Sequence, residues 1–187
     1  MHKFGKKIIL KKYFLEYKPF LVFLASFFGS YIVLTFLYQI FLNGFENNTV
    51  DTITKAVAQN TQKIISYFFM RIQDEIVVNE PFVRMYFQNE YIVRIVEGCN
   101  GISVIILFIS FIIAFSGSLK NTLLFIFGGA LLIYILNVLR IAVLIVAMYY
   151  FPEKKHLLHS VLFPAVIYGA VFILWFIWVN KFSKYAK

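Results

Sequence analysis

Residues 122–150 read TLLFIFGGALLIYILNVLRIAVLIVAMYY, a run of 29 residues whose one charged side chain is Arg140. A helix needs about 20 apolar residues to cross the roughly 30 Å hydrocarbon core of a bilayer. This run is long enough to cross and then to tilt or project beyond the lipid. It shows no period-2 alternation of the kind a barrel strand carries, and a helix satisfies its own backbone inside lipid. Working outward, residues 19–42, 98–116 and 157–179 are three further runs of spanning character. The composition agrees. Of 187 residues, 61% are hydrophobic, 20% aromatic and 14% charged, with a mean hydropathy of +0.79, whereas soluble domains run at roughly 45–50% apolar and 25% charged. A soluble globular domain, a disordered chain and a disulfide scaffold are excluded, the last because the chain has one cysteine. The expected fold is an all-α integral membrane domain over residues 1–187, with four transmembrane helices and an outer loop at 43–97.

The net charge of +9 would suit nucleic acid if it formed a stripe, but it sits at the two ends. Lys3, Lys6, Lys7, Lys11, Lys12 and Lys18 precede the first apolar run, and Lys181, Lys184 and Lys187 follow the last. Lysines placed this way are topology signals beside anionic lipid, so no nucleic-acid partner is expected. An even number of spans puts both basic tails on the cytoplasmic side. Residues 117–121 then form an inner turn, and residues 43–97 and 151–156 lie outside. The first run follows a basic stretch, as a secretory signal does, but it exceeds the usual apolar core and lacks a clear cleavage site; it reads as an uncleaved anchor.

The outer loop carries its own pattern. Val50, Ile53, Val57, Ile64, Ile65 and Phe68 fall at near-helical spacing, which predicts an amphipathic helix over residues 50–70, on the membrane surface or packed on the bundle. Beyond Glu75 the runs 76–78, 82–87 and 91–96 are β-branched and aromatic, and the Asn89-Glu90 break suits a candidate β-hairpin leading into the second span.

Ionisable and reactive groups inside spans are costly and mark function. Tyr134, Asn137 and Arg140 recur every three residues and share one helix face, a polar stripe expected to face the bundle interior. For Arg140 alone, an interfacial anchor that snorkels outward is an equal alternative. Cys99 lies in Glu97-Gly98-Cys99-Asn100-Gly101 at the outer start of the second span. A lone membrane cysteine is more often a small buried hydrophobe, but the polar, glycine-flanked setting favours function. His159 opens the fourth run, three residues after His156. The pair lacks the glutamate of a zinc motif, so no metal is expected. Helices of alternating direction bring Cys99, Arg140 and His159 to one outer level, where a thiol, a guanidinium and an imidazole suit nucleophilic chemistry. The arginine favours the thiolate and stabilises an oxyanion, and the histidine protonates a leaving amine.

Three local motifs resemble the exosortase/archaeosortase family of integral-membrane cysteine transpeptidases. The stretch from Glu97 to Ile102 resembles its Cys-x-Gly-Ile segment, and Asn137-Val138-Leu139-Arg140-Ile141 its Asn-x-x-Arg segment. His159, followed by Phe163-Pro164 and Tyr168-Gly169, resembles the histidine that opens its last core helix. The short length looks most like the exosortase F-type branch. The resemblance covers residues 95–180 and leaves the 43–97 loop without a clear counterpart; larger members have about eight spans. It implies an enzyme that cleaves a C-terminal sorting signal (motif, helix and basic tail) near the outer membrane face and transfers the secreted protein to a glycan or lipid-linked acceptor. It further implies Cys99 as nucleophile, Arg140 as stabiliser and His159 as acid/base, with His156 competing for that last role. Asn137, Gly101 and Asn100 are the candidate substrate-binding residues, and no cofactor is implied. Asn100 stands where a small residue is common. The main rival is a non-enzymatic scaffold that binds a partner through the outer loop. A transporter ranks lower, because the inner halves of the second and fourth runs are almost wholly apolar.

Overall fold

The structure is a computed structural model that describes residues 16–45, 49–68, 72–76, 80–115, 117–158, 161 and 163–183, with the backbone alone at Ile76, Lys155 and Phe163. His159, Met70, Val77, Val78 and the tail lysines Lys3, Lys6, Lys7, Lys11, Lys12, Lys184 and Lys187 lie outside the described residues.

The protein is mostly helical, with three helices long and apolar enough to cross a membrane. These are α1 (Lys18–Asn43), α4 (Leu119–Tyr150) and α5 (Phe163–Lys181). The expected 98–116 span is instead a 13-residue helix, α3 (Ile102–Ala114). At ~1.5 Å per residue it covers only about 20 Å. Its start is set by Gly101, whose φ of 85° no α-helix continues through. Its depth exceeds its helical length, however. Phe115, just beyond its end, meets Phe23 of α1 with ring centroids 4.7 Å apart, and Asn100, just before its start, donates to Tyr38 of α1. Those contacts lie 15 residues apart on α1, about 22 Å along the axis. No residue of α1 is buried, so this helix lies at the periphery, with one side on α3 and many apolar side chains exposed.

Between α1, α4 and α5, Phe108 and Ile112 of α3 pack on Ile133, Val171 and Trp178. Gly129 of α4 admits Phe108 so closely that a Cβ there would overlap the ring. At the end of the bundle holding the α3–α4 turn, Trp178 Nε1 donates to the Phe115 carbonyl at 2.8 Å. There Gly117 also bridges Ser183, with the Phe182 carbonyl in the space a Cβ would fill.

Residues 43–97 are not an open loop. Helix α2 (Thr52–Phe68) begins where Asp51 Oδ1 accepts the Ile53 and Thr54 N–H groups, both at 2.9 Å, as an N-cap does. Val57 and Ile65 face inward as their spacing predicts, with Ala58 beside them, while Phe68 is exposed. The helix packs on the bundle: its apolar face meets Val138, Ile141, Ala142 and Ile145 of α4. Three antiparallel strands follow in the order β1 (Ile72–Ile76), β2 (Phe82–Phe87), β3 (Glu90–Val96). Strand β1 corrects the expectation of a hairpin alone, because its Gln-Asp-Glu centre hides the period and only Ile72, paired with Phe87, is plainly buried. The turn is Gln88-Asn89, both at positive φ (55° and 68°), one residue earlier than expected; paired positive φ values match the twist of a tight hairpin. Val83, Met85 and Phe87 alternate into the core, and Phe82, Arg84 and Tyr86 alternate out of it.

Helix α4 explains its own length. Its 32 residues span about 48 Å, well beyond the lipid core. The second half is the pillar on which α2 and the sheet are built, so the excess is packed against protein.

Candidate active site

Cys99 closes a short 3-10 turn, Glu97–Cys99, that joins β3 to α3. Its carbonyl accepts a hydrogen bond from Asn137 Nδ2 of α4 at 2.8 Å. The next residue, Asn100, is 1% exposed. Its Nδ2 donates to Tyr38 Oη of α1 (2.8 Å) and to Thr54 Oγ1 of α2 (3.1 Å), and its Oδ1 accepts the Ile102 N–H (3.0 Å). That last bond caps α3 from within the loop. Gly101 completes the clamp: a Cβ there would stand 3.2 Å from Asn137 Cγ and Nδ2. Three helices thus grip the loop by its backbone and by Asn100, and the thiol is left free and half-buried.

Cys99 and Arg140 line one cavity of about 380 Å³, together with Ile141, Leu144 and Met148 of α4 and residues 91–96 of β3. Arg140 Nε is buried and has no hydrogen-bond partner. Buried donors are almost always paired, so this nitrogen is an exception, and it belongs to a residue that lines the same cavity as the one cysteine of the chain. The polar stripe of α4 faces inward throughout: Tyr134 Oη accepts from Asn60 Nδ2 of α2 at 2.8 Å, one helical turn before Asn137.

His156 is exposed on the short helical turn Lys155–Leu157. Leu158, immediately before His159, packs against Leu144 and Met148, which line the cavity wall. Asn137 and Asn100, expected to meet substrate, donate to internal acceptors. Sequence reasoning missed Tyr38 and Thr54. An interfacial tyrosine reads as a membrane anchor, and a threonine on the polar side of an amphipathic pattern reads as exposed.

The model of the transmembrane exosortase family matches residues 18–179. The chain belongs to that family. Comparisons with curated proteins and with solved structures give no match. The matched range takes in Cys99 and Arg140, and it also includes residues 43–97. Membership and the apolar helices together make this a multi-pass membrane protein.

Proposed function

We propose that this exosortase is a membrane cysteine transpeptidase that cleaves a C-terminal sorting signal at the outer face of the bacterial inner membrane. The observation that carries the reading is the shared cavity, whose lining includes both the chain's single cysteine and Arg140. Cys99 Sγ attacks the scissile carbonyl carbon, and the oxygen, now negative, is stabilised by Arg140 in a site of low dielectric. His159 gives a proton to the leaving nitrogen as the C–N bond breaks, and a thioester remains on Cys99. An amine or hydroxyl of a glycan or lipid-linked acceptor then attacks the thioester and frees the thiol. His159 is preferred over His156 because its neighbour Leu158 packs on the cavity wall, whereas His156 is exposed.

In this reading α3 and its flanking residues complete a fourth crossing. Both basic tails then lie in the cytoplasm, and the sheet and cavity lie outside, where the positive-inside rule puts the less basic segments. The test is processing of a co-expressed secreted protein bearing a C-terminal helix and basic tail. Cys99→Ala at equal membrane abundance should abolish cleavage. Persistent cleavage would overturn the cysteine mechanism and favour a scaffold that binds through its sheet-bearing unit.

A further inference from the structure

The cavity beside Cys99 has an unusual wall. Side chains alternate across a strand with period two, so a cavity on one face of β3 would touch every second residue. Instead all six residues from Tyr91 to Val96 line it. Contact with consecutive residues means that the cavity follows the edge of the strand. That edge is open: β3 pairs with β2 on one side, and no strand pairs with the other among the described residues.

Edge strands are normally guarded by charge, short length or a bulge. The opposite edge, β1, carries Gln73, Asp74 and Glu75 through its centre. Strand β3 instead carries Ile92, Val93, Ile95 and Val96 around a single arginine, Ile95 buried in the core and the other three half-buried. An edge left open and apolar, ending three residues before the nucleophile, is a template for one kind of occupant, a peptide backbone.

We propose that the substrate binds as a fourth strand along the free edge of β3, and that Arg94 selects an acidic residue in it. The proposal rests on the cysteine peptidase reading and specifies its substrate. Direction follows from topology. Strand β3 descends from the hairpin tip to Cys99 and continues into α3, and a substrate whose extended motif precedes its membrane helix runs the same way. The added strand is therefore parallel to β3, its scissile carbonyl at the Cys99 end of the cavity that Arg140 also lines. Charge follows from register. Arg84 and Arg94 are directly opposite across β2 and β3, an arrangement that is repulsive by itself. Arg84 is relieved by Glu80 at 2.8 and 2.9 Å and faces Glu75 on β1. Arg94 has no carboxylate within reach among the described residues, only the Phe82 ring at 5.3 Å. The next strand over supplies its partner, about four residues before the scissile bond at ~3.3 Å per residue.

The experiment uses full-length protein in proteoliposomes and three biotinylated probes. The first is Thr-Glu-Val-Thr-Ala fluoromethyl ketone. The second has lysine in place of glutamate, and the third is the glutamate peptide with alternate amides N-methylated to block strand pairing. Cys99 Sγ displaces fluoride and forms a thioether, which the biotin reports. Wild type should label about tenfold faster with the glutamate probe than with its lysine twin, since one choice adds an attractive cross-strand pair and the other a repulsive one. Arg94→Glu should reverse the order, a swap that a merely misfolded variant cannot produce, and N-methylation should abolish labelling. Equal rates for the three probes, or no labelling by any of them while iodoacetamide still modifies Cys99, would overturn strand addition. Neither result touches the peptidase reading, which fails separately if processing survives Cys99→Ala.

Discussion

The two glycines flanking Cys99 should respond in opposite ways to the same methyl group. At Gly98 a Cβ would meet nothing within 4 Å, so Gly98→Ala should leave stability and processing within about 0.5 kcal/mol of wild type. Gly101 is held at a φ of +85°, where a residue with a Cβ is strained by about 1–2 kcal/mol. The new atom would also press on Asn137 Cγ and Nδ2 at 3.2 Å and on its Cβ at 3.4 Å. Asn137 is 2% exposed on a helix that cannot easily retreat, so relief comes by turning the amide away from the Cys99 carbonyl. Losing that bond adds about 1 kcal/mol. Gly101→Ala should therefore cost roughly 2–3 kcal/mol. If all of it falls on placement of the nucleophile, that is roughly a 30- to 150-fold slower acylation. The assay is the initial rate of reporter cleavage, normalised to enzyme in the membrane, beside the apparent melting temperature in detergent. The steric part can be isolated with Asn137→Ala, which makes room: the double variant should be less impaired than the sum of the singles by about 1 kcal/mol. Gly101→Ala indistinguishable from Gly98→Ala in both readouts would refute the clamp.

Three other substitutions test separate parts of the construction. Gly129→Ala, which drives a methyl into the Phe108 ring, should destabilise the bundle by about 1–3 kcal/mol; adding Phe108→Leu should restore part of the loss in the melting curve. Asp51→Ala removes the cap of α2 and should lower stability by about 1 kcal/mol, read as a lower melting temperature with unchanged affinity for a labelled substrate peptide. Arg140→Lys keeps the charge but not the planar donor set, so cleavage should fall by about 100-fold while Cys99 remains modifiable by iodoacetamide; a near-normal rate would show that charge alone is needed.

The apolar runs were legible because lipid imposes a length and a composition that few other environments tolerate, and the helix of residues 52–68 was legible from its period. The sheet was only half legible. Strands β2 and β3 carry alternation and branched side chains, but β1 is a strand chiefly because β2 is beside it, and a pairing is not written in five residues with three polar ones at their centre. The site was legible as a set of levels: helix direction and rise brought Cys99 and Arg140 to a common depth. What could not be read was which side chains hold the loop. Tyr38 and Thr54 lie 62 and 46 residues from Asn100 in sequence, and nothing local in either distinguishes them from an anchor or an exposed hydroxyl.

The way the loop is held bears on how the site works. A nucleophile that must rest within about 0.5 Å of its productive position needs support from rigid elements, and a thiol is a poor handle because hydrogen bonds to sulfur are weak. The fold places its strong bonds one atom group away, on the Cys99 carbonyl and the Asn100 amide, and draws them from α1, α2 and α4. Tyr38 lies near the end of a membrane helix, Thr54 on the packed amphipathic helix and Asn137 on the pillar. The loop is thereby fixed at the meeting point of the lipid-embedded bundle and the sheet-bearing unit. A substrate that passes from an extended segment to a membrane helix crosses that same boundary. Asn100 is what makes the convergence possible: an alanine there would release α1 and α2 from the loop together, with both hydroxyls left without their amide donor.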